Sequence, residues 1–175
     1  MSNARIAGAI TSAKAYLAAH PDEARYRDSV ASAVVEDGLR VRVTGPDGSS
    51  LVTDMVAGVG GTASAPSPGW LFRAAYASCA ATLIVMRAAE QGVVLSALEV
   101  EVDSESDDRG ILGIAEDVPA GPVSMRVTVR AESATEEETV REIVLWGLKH
   151  CPVDDAVRRP VPVPIDLDVR VAGEK

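Results

Sequence analysis

Aromatic side chains, cysteine and histidine are all scarce in this chain of 175 residues. Tyr16, Tyr26, Trp70, Phe72, Tyr76 and Trp146 are the six aromatics, so the core is expected to be aliphatic, built from Val, Ala, Leu and Ile. Cys79 and Cys151 are the two cysteines, and His20 and His150 the two histidines. A structural zinc site takes four nitrogen or sulfur ligands, and these few stand at no recognised metal-ligand spacing. No metal and no cofactor are expected. Basic charge is short as well: 17 Lys and Arg oppose 26 Asp and Glu, for a formal charge of −9. Nucleic-acid binding rests on neutralising phosphates, so no nucleic-acid partner is expected. A long apolar run is also missing. The longest uncharged apolar run, Ala74 to Met86, is bounded by Arg73 and Arg87, whereas a helix needs about 20 residues to span a bilayer. Arg5 and Lys14 interrupt the apolar positions of residues 4–19, unlike a signal peptide. The expectation is a cytoplasmic protein with no membrane partner, its cysteines held as thiols.

What is present reads as an α+β chain. Ile6, Ala9, Ile10, Ala13, Tyr16 and Leu17 have helical spacing, and Pro21 ends that helix. Val30–Val35, Leu39–Val43 and Leu51–Val56 are short β-branched runs separated by Gly-containing turns, an antiparallel meander. A loop with Gly58, Gly60 and Gly61 follows. Ser67-Pro68 is an N-cap and first-turn proline. The helix it starts, Trp70 to Glu90, is apolar nearly all round and is expected to be buried on all sides. Strands are expected over Leu98–Asp103 and Val123–Val129. Thr135 and Glu138 form a capping box ahead of a helix over Val140–Leu148. A short helix over Val153–Arg158 comes next. The last strand, Val161–Val171, is an edge or irregular segment because Pro160, Pro162 and Pro164 lack the donor a ladder needs. Residues 1–28 read as an N-terminal helical extension and residues 29–175 as the main domain.

Several constellations can be set aside. Asp103 to Gly110 is acidic, yet a calcium loop there would need glycine at Asp108 and glutamate at Ile114. The Gly58–Gly61 loop lacks the lysine of a phosphate cradle. No Gly-x-Ser-x-Gly is present, and a thiol hydrolase would have only His150 as a base for Cys79. The two thiols remain, each by itself as consistent with a small buried hydrophobe as with a reagent. Tyr76, Cys79 and Leu83 share one helix face, and Trp70, Phe72, Tyr76 and Trp146 all lie within ten residues of a cysteine. Thiols beside aromatic rings suit an organic substrate. Burial raises a thiol's pKa, so a reactive Cys79 needs a nearby cation. Arg73 and Arg87 of its own helix are badly placed, so the cation must come from another segment or subunit. Cys151, ahead of Pro152, is placed to cap the short helix, where Asp154 and Asp155 compete for the positive end. That suits a resolving thiol better than an attacking one.

The run Ser67-Pro68-Gly69-Trp70-Leu71-Phe72-Arg73-Ala74-Ala75-Tyr76-Ala77-Ser78-Cys79 resembles the central-helix motif of the OsmC/Ohr family, the osmotically inducible and organic hydroperoxide resistance proteins. His150-Cys151-Pro152-Val153 resembles the family's second motif. The resemblance covers about residues 30–171. It implies an OsmC-like fold, an antiparallel sheet with a buried central helix, in an intertwined homodimer. It also implies a thiol peroxidase acting on organic hydroperoxides, with Cys79 oxidised to a sulfenic acid, Cys151 closing a disulfide, and a lipoyl-type dithiol as reductant. An arginine activates the thiolate in this family; Arg40 is the residue taken for it here, with Arg42 beside it. The catalytic branches carry a glutamate ten residues before the first cysteine, and this chain has Gly69 there. That departure brings the chain nearer the OsmC-like proteins of unassigned substrate. It motivates an alternative: a weak or inactive dimer whose pocket at Trp70, Phe72, Tyr76 and Trp146 binds a lipophilic small molecule.

Overall fold

The computed structural model describes residues 3–170; the first two residues of the N-terminal extension, and Val171 with the four that follow it, lie outside the described residues. Helix α1 (Asn3–Ala19) opens the chain. Strands β1 (Ser32–Asp37), β2 (Arg40–Thr44) and β3 (Ser50–Thr53) then form the antiparallel meander expected from the turn signals. Helix α2 (Pro68–Glu90) follows, then β4 (Leu95–Glu105), the short α3 (Asp108–Ile111), β5 (Ser124–Ser133), α4 (Glu137–Lys149) and α5 (Pro152–Arg158). β4 and β5 pair antiparallel from Leu95↔Ser133 to Glu105↔Ser124. Among the described residues the antiparallel strands form two sheets, one of three strands and one of two.

Local chemistry sets the start of α2. The Ser67 hydroxyl accepts from the Trp70 amide at 3.2 Å, and Pro68 occupies the first turn, where its missing donor is no loss. The core gathers on one stripe of this helix, at Tyr76, Ala80, Ile84 and Ala88. Ile84 and Ala88 pack with Val93 and Ile143, while Tyr76 and Ala80 pack with Cys151. Helix α4 comes very close: a Cβ on Gly147 would lie 2.6 Å from Ile84 Cγ1 and 2.8 Å from its backbone nitrogen. Only hydrogen fits there.

Three expectations need correction. Helix α2 is not buried on all sides; α1, α4, α5 and β4 cover one side, and Trp70, Phe72 and Val85 are exposed on the rest. By length and composition α2 could cross a membrane; in this fold it carries the core stripe. The capping box at Thr135 does not form, because α4 starts one residue later, with Glu136 at the N-cap and no side-chain bond there. Glu137 and Glu138 instead favour the helix start by charge and pair with Arg141. The last strand is also unformed. Residues 161–170 form no strand and pair with no strand among the described residues, and Val163, Ile165, Leu167 and Val169 are highly exposed. Prolines 160, 162 and 164 offer no N–H, and neither sheet of the chain pairs with the segment.

Helix α1, the proposed extension, docks on α2. Lys14 pairs with Glu90, and Asn3 Nδ2 donates to the Val93 carbonyl at 2.7 Å.

Candidate functional site

Cys79 lies on α2 one turn after Tyr76, and Cys151 ends the connection from α4 to α5. The fold brings these distant residues into one cluster. Tyr76, Ala80 and Cys151 are its buried members, and Cys79, Met125, Leu148 and Val153 pack against them. Both cysteines are free thiols; Cys79 is half-buried and Cys151 fully buried. Burial pushes the Cys151 thiol up from its ordinary pKa. The Asp154 amide draws it partly back, and the neighbouring Cys79 thiol pushes it up again. Cys151 stands at the N-cap of α5, as its place before Pro152 suggested, but its sulfur makes no capping bond. Its carbonyl accepts from the Asp155 amide at 3.0 Å instead.

Sequence reasoning missed the polar group beneath this pair. The Tyr76 hydroxyl donates to Asp154 Oδ1, and Arg158 Nε donates to Asp154 Oδ2 at 2.6 Å. Burial and the neighbouring carboxylate push the Tyr76 phenol up to about 12. Burial pushes the Asp154 carboxyl up, but the bonds from Arg158 and Tyr76 outweigh it, and the net shift is downward. Asp154 is therefore a salt-bridged core residue and does not compete for the helix end. Asp155 pairs outside with Arg159 at 2.6 Å. The Asp154 and Arg158 spacing of four was visible in sequence; the tyrosine 78 residues away was not.

The four aromatics part company. Tyr76 joins the thiols, and Phe72 lines a groove of about 620 Å³ with Val123, Met125, Pro152, Val153 and Val157. Met125 and Val153 belong to both the groove and the thiol cluster. Trp70 opens on a different groove, with Arg73, Ala77 and Ala81. Trp146 packs with neither; it stacks on His150 at 3.9 Å, and Arg87 lies over it at 4.8 Å. His150 is thus held by an indole, its Nδ1 2.7 Å from the Trp146 carbonyl.

Arginine placement follows the helix-face argument in part. Arg73 bonds Ser104 at 3.2 Å and Arg87 faces Trp146, so both are engaged away from Cys79. Arg40 bonds Ser64 Oγ at 2.8 Å and Glu36 at 3.2 Å. Arg42 reaches the other oxygen of Glu36 at 2.5 Å. Glu36, held well below the ordinary carboxylate range chiefly by its bond from Arg42, joins the two guanidinium groups. The three-stranded sheet that carries them makes no extended contact with α2 within the chain. Beside it, buried Asp54 accepts from the amides and hydroxyls of Thr62 and Ser64 and pins the glycine loop. Among the described residues no group of three or more His, Cys, Asp and Glu could hold a metal ion.

Residues 61–166 match the model of the OsmC family, OsmC-like protein. No curated protein matches the chain in sequence. Among solved structures, the organic hydroperoxide resistance protein OsmC of Legionella pneumophila is 22% identical, with 77% of this chain and 91% of that one covered and a TM-score of 0.57. An OsmC-like protein of Mycoplasma pneumoniae is 14% identical, with 77% and 89% covered and a TM-score of 0.66. The organic hydroperoxide resistance protein OhrB of Bacillus subtilis is 23% identical, with 77% and 93% covered and a TM-score of 0.50. At such identities the likeness is one of fold.

Proposed function

The chain belongs to the OsmC-like family, and from that premise we propose that it is a thiol-dependent peroxidase reducing organic hydroperoxides through Cys79 and Cys151. The observation that carries this is the meeting of two free thiols of unequal access, Cys79 half-buried and Cys151 fully buried. The Cys79 thiolate attacks the outer peroxide oxygen. The O–O bond breaks, the alkoxide takes a proton and leaves as alcohol, and Cys79 becomes a sulfenic acid. Cys151 sulfur then attacks Cys79 sulfur, the S–O bond breaks, and hydroxide leaves as water with the thiol proton. A dithiol of lipoyl type reduces the disulfide by exchange and becomes a cyclic disulfide itself. The apolar groove at Phe72, Met125 and Val153 receives the organic part of the peroxide.

The working unit is an intertwined homodimer in this proposal. The uncovered side of α2, the exposed Val34 and Val35 of β1 and the apolar alternation of residues 161–170 support it, because a second copy would bury all three. Arg40 of a second copy then serves the Cys79 thiolate, and Glu36, joined to both arginines, orients it in place of the glutamate missing at Gly69. Two resting thiols suit the cytoplasm.

One equivalent of cumene hydroperoxide added to the reduced protein tests the chemistry by intact mass. The expected result is a loss of about two mass units, the hydrogens given up in a disulfide, and its abolition in Cys79→Ser. Unchanged mass in the wild type would sink the peroxidase. Gly69 favours a second reading, a lipophilic-ligand dimer without turnover, since a Cβ there would meet nothing nearer than 3.9 Å and the place of a carboxylate stands empty. That reading expects fatty acyl compounds to quench tryptophan fluorescence equally in wild type and Cys79→Ala.

A further inference from the structure

The proposed peroxidase chemistry leaves one buried charge without a use. Asp154 is 6% exposed and lies in the first turn of α5, three residues after Cys151. Only the carboxylate of the pair is buried, since the Arg158 side chain is 74% exposed, and burying a carboxylate is a poor way to gain stability because its lost hydration offsets most of what its partners return. Its placement calls for another account. Tyr76 OH reaches it from α2, one turn before Cys79, and Arg158 Nε reaches it from the far end of α5. Among the described residues this is the polar side-chain bridge between the helix that carries Cys79 and the turn that carries Cys151. A cavity of about 340 Å³ adjoins it, lined by Tyr76, Met125, Leu148, Asp154, Val157 and Arg158. Without the bridge, α5 has room to shift.

We propose that Asp154 is a positioning residue, gripped by Tyr76 and Arg158, that holds Cys151 sulfur against Cys79 sulfur so that disulfide closure outruns a second oxidation of Cys79. The inference rests on the two cysteines being the reacting pair. Closure forms the S–S bond, breaks the S–O bond of the sulfenic acid and releases water. Its competitor is a second peroxide molecule, which transfers oxygen to the sulfenic acid, gives a sulfinic acid and leaves as alcohol. Closure is intramolecular, and its rate therefore depends on alignment. The first oxidation of Cys79 does not involve Cys151 and is indifferent to the bridge.

Asp154→Asn and Tyr76→Phe separate the steps. Rapid-quench mass spectrometry follows sulfenic acid appearing with peroxide concentration and disulfide appearing afterwards. In Asp154→Asn, formation of the sulfenic acid stays close to the wild-type rate. Closure slows on the order of tenfold, the equivalent of about 1.4 kcal/mol of lost alignment, and sulfinic acid accumulates at Cys79. Tyr76→Phe moves closure in the same direction and keeps the ring. Unchanged closure in both variants overturns the proposal, and so does an equal loss in both steps, which would mark a general disturbance. A peroxide-free readout is the equilibrium in which the protein dithiol and oxidised dithiothreitol exchange to protein disulfide and reduced dithiothreitol, where the effective concentration of the two thiols falls about tenfold in Asp154→Asn. If the wild type ignores peroxide but this equilibrium still shifts in the variant, the peroxidase fails and the positioning role stands.

Discussion

Replacing Gly147 by alanine gives a test in which two effects of known sign oppose each other. An added Cβ would lie 2.6 Å from Ile84 Cγ1, 2.8 Å from Ile84 N and 2.9 Å from Ile84 Cα. Comfortable contact begins at about 3.5 Å. The Ile84 side chain can rotate away, but its backbone cannot, so α4 must move off α2 by the better part of an ångström. Overfilling of this kind costs about 1–3 kcal/mol, while alanine in a helix recovers about 1 kcal/mol over glycine. The net expectation is a loss of about 1 kcal/mol, which lowers the melting temperature of a protein this size by roughly 2–4 °C. Thermal unfolding of the reduced protein measures it. Helix propensity alone would raise the melting point by a similar amount, so a higher value refutes the close packing of α2 on α4. The same shift reaches the thiols, since Cys151 follows Gly147 by about one turn. The variant should therefore close its disulfide more slowly than its small loss of stability suggests.

Two further outcomes follow from the site. Gly69→Glu puts a carboxylate in the first turn of α2, four residues before Arg73, where space is open; better helix propensity and the helix dipole should add about 1 kcal/mol, read as a rise in melting temperature. Turnover of cumene hydroperoxide that climbs alongside it would show that Glu36 does not already supply the orienting carboxylate. Tyr76 titrates at about 12 in the fold against 10.0 as a free phenol, so the folded state holds its proton more tightly. Stability from this group is complete below pH 10.0 and lost as pH rises toward about 12. Denaturant unfolding across that window should fall less steeply in Tyr76→Phe than in the wild type.

Much of the fold could be read from local chemistry. Ser67 and Pro68 announce α2 because a cap and a first-turn proline act over four residues, and the three-strand meander follows from its turns. Where structure and local pattern part, one cause recurs. The apolarity of α2 speaks for burial all round, yet burial depends on what else the chain supplies, and α1, α4, α5 and β4 cover only one side. The alternation of Val161, Val163 and Ile165 is a genuine strand pattern without a strand beside it in the chain. At Thr135 the capping signature lost to a helix start one residue on. In the site, the pairing of Cys79 and Cys151 came from a family resemblance, whereas the Tyr76–Asp154 bond joins residues 78 apart and leaves no trace in local pattern. Nearness in sequence also misled at Trp146, whose ring turns to His150 rather than to the thiols.

The unequal burial of the two sulfurs has a consequence for how a population of these molecules ages. Cys151 has no exposed surface, while Cys79 is reachable. In the proposed chemistry, irreversible damage by peroxide would therefore accumulate at a single atom per chain, successive oxygens adding to a sulfur that has already reacted. Old molecules would differ from new ones by one permanent lesion on α2, with a pristine thiol beside it. The ratio of damaged Cys79 to intact Cys151 would then serve as a clock of exposure, calibrated within each molecule by its own untouched cysteine.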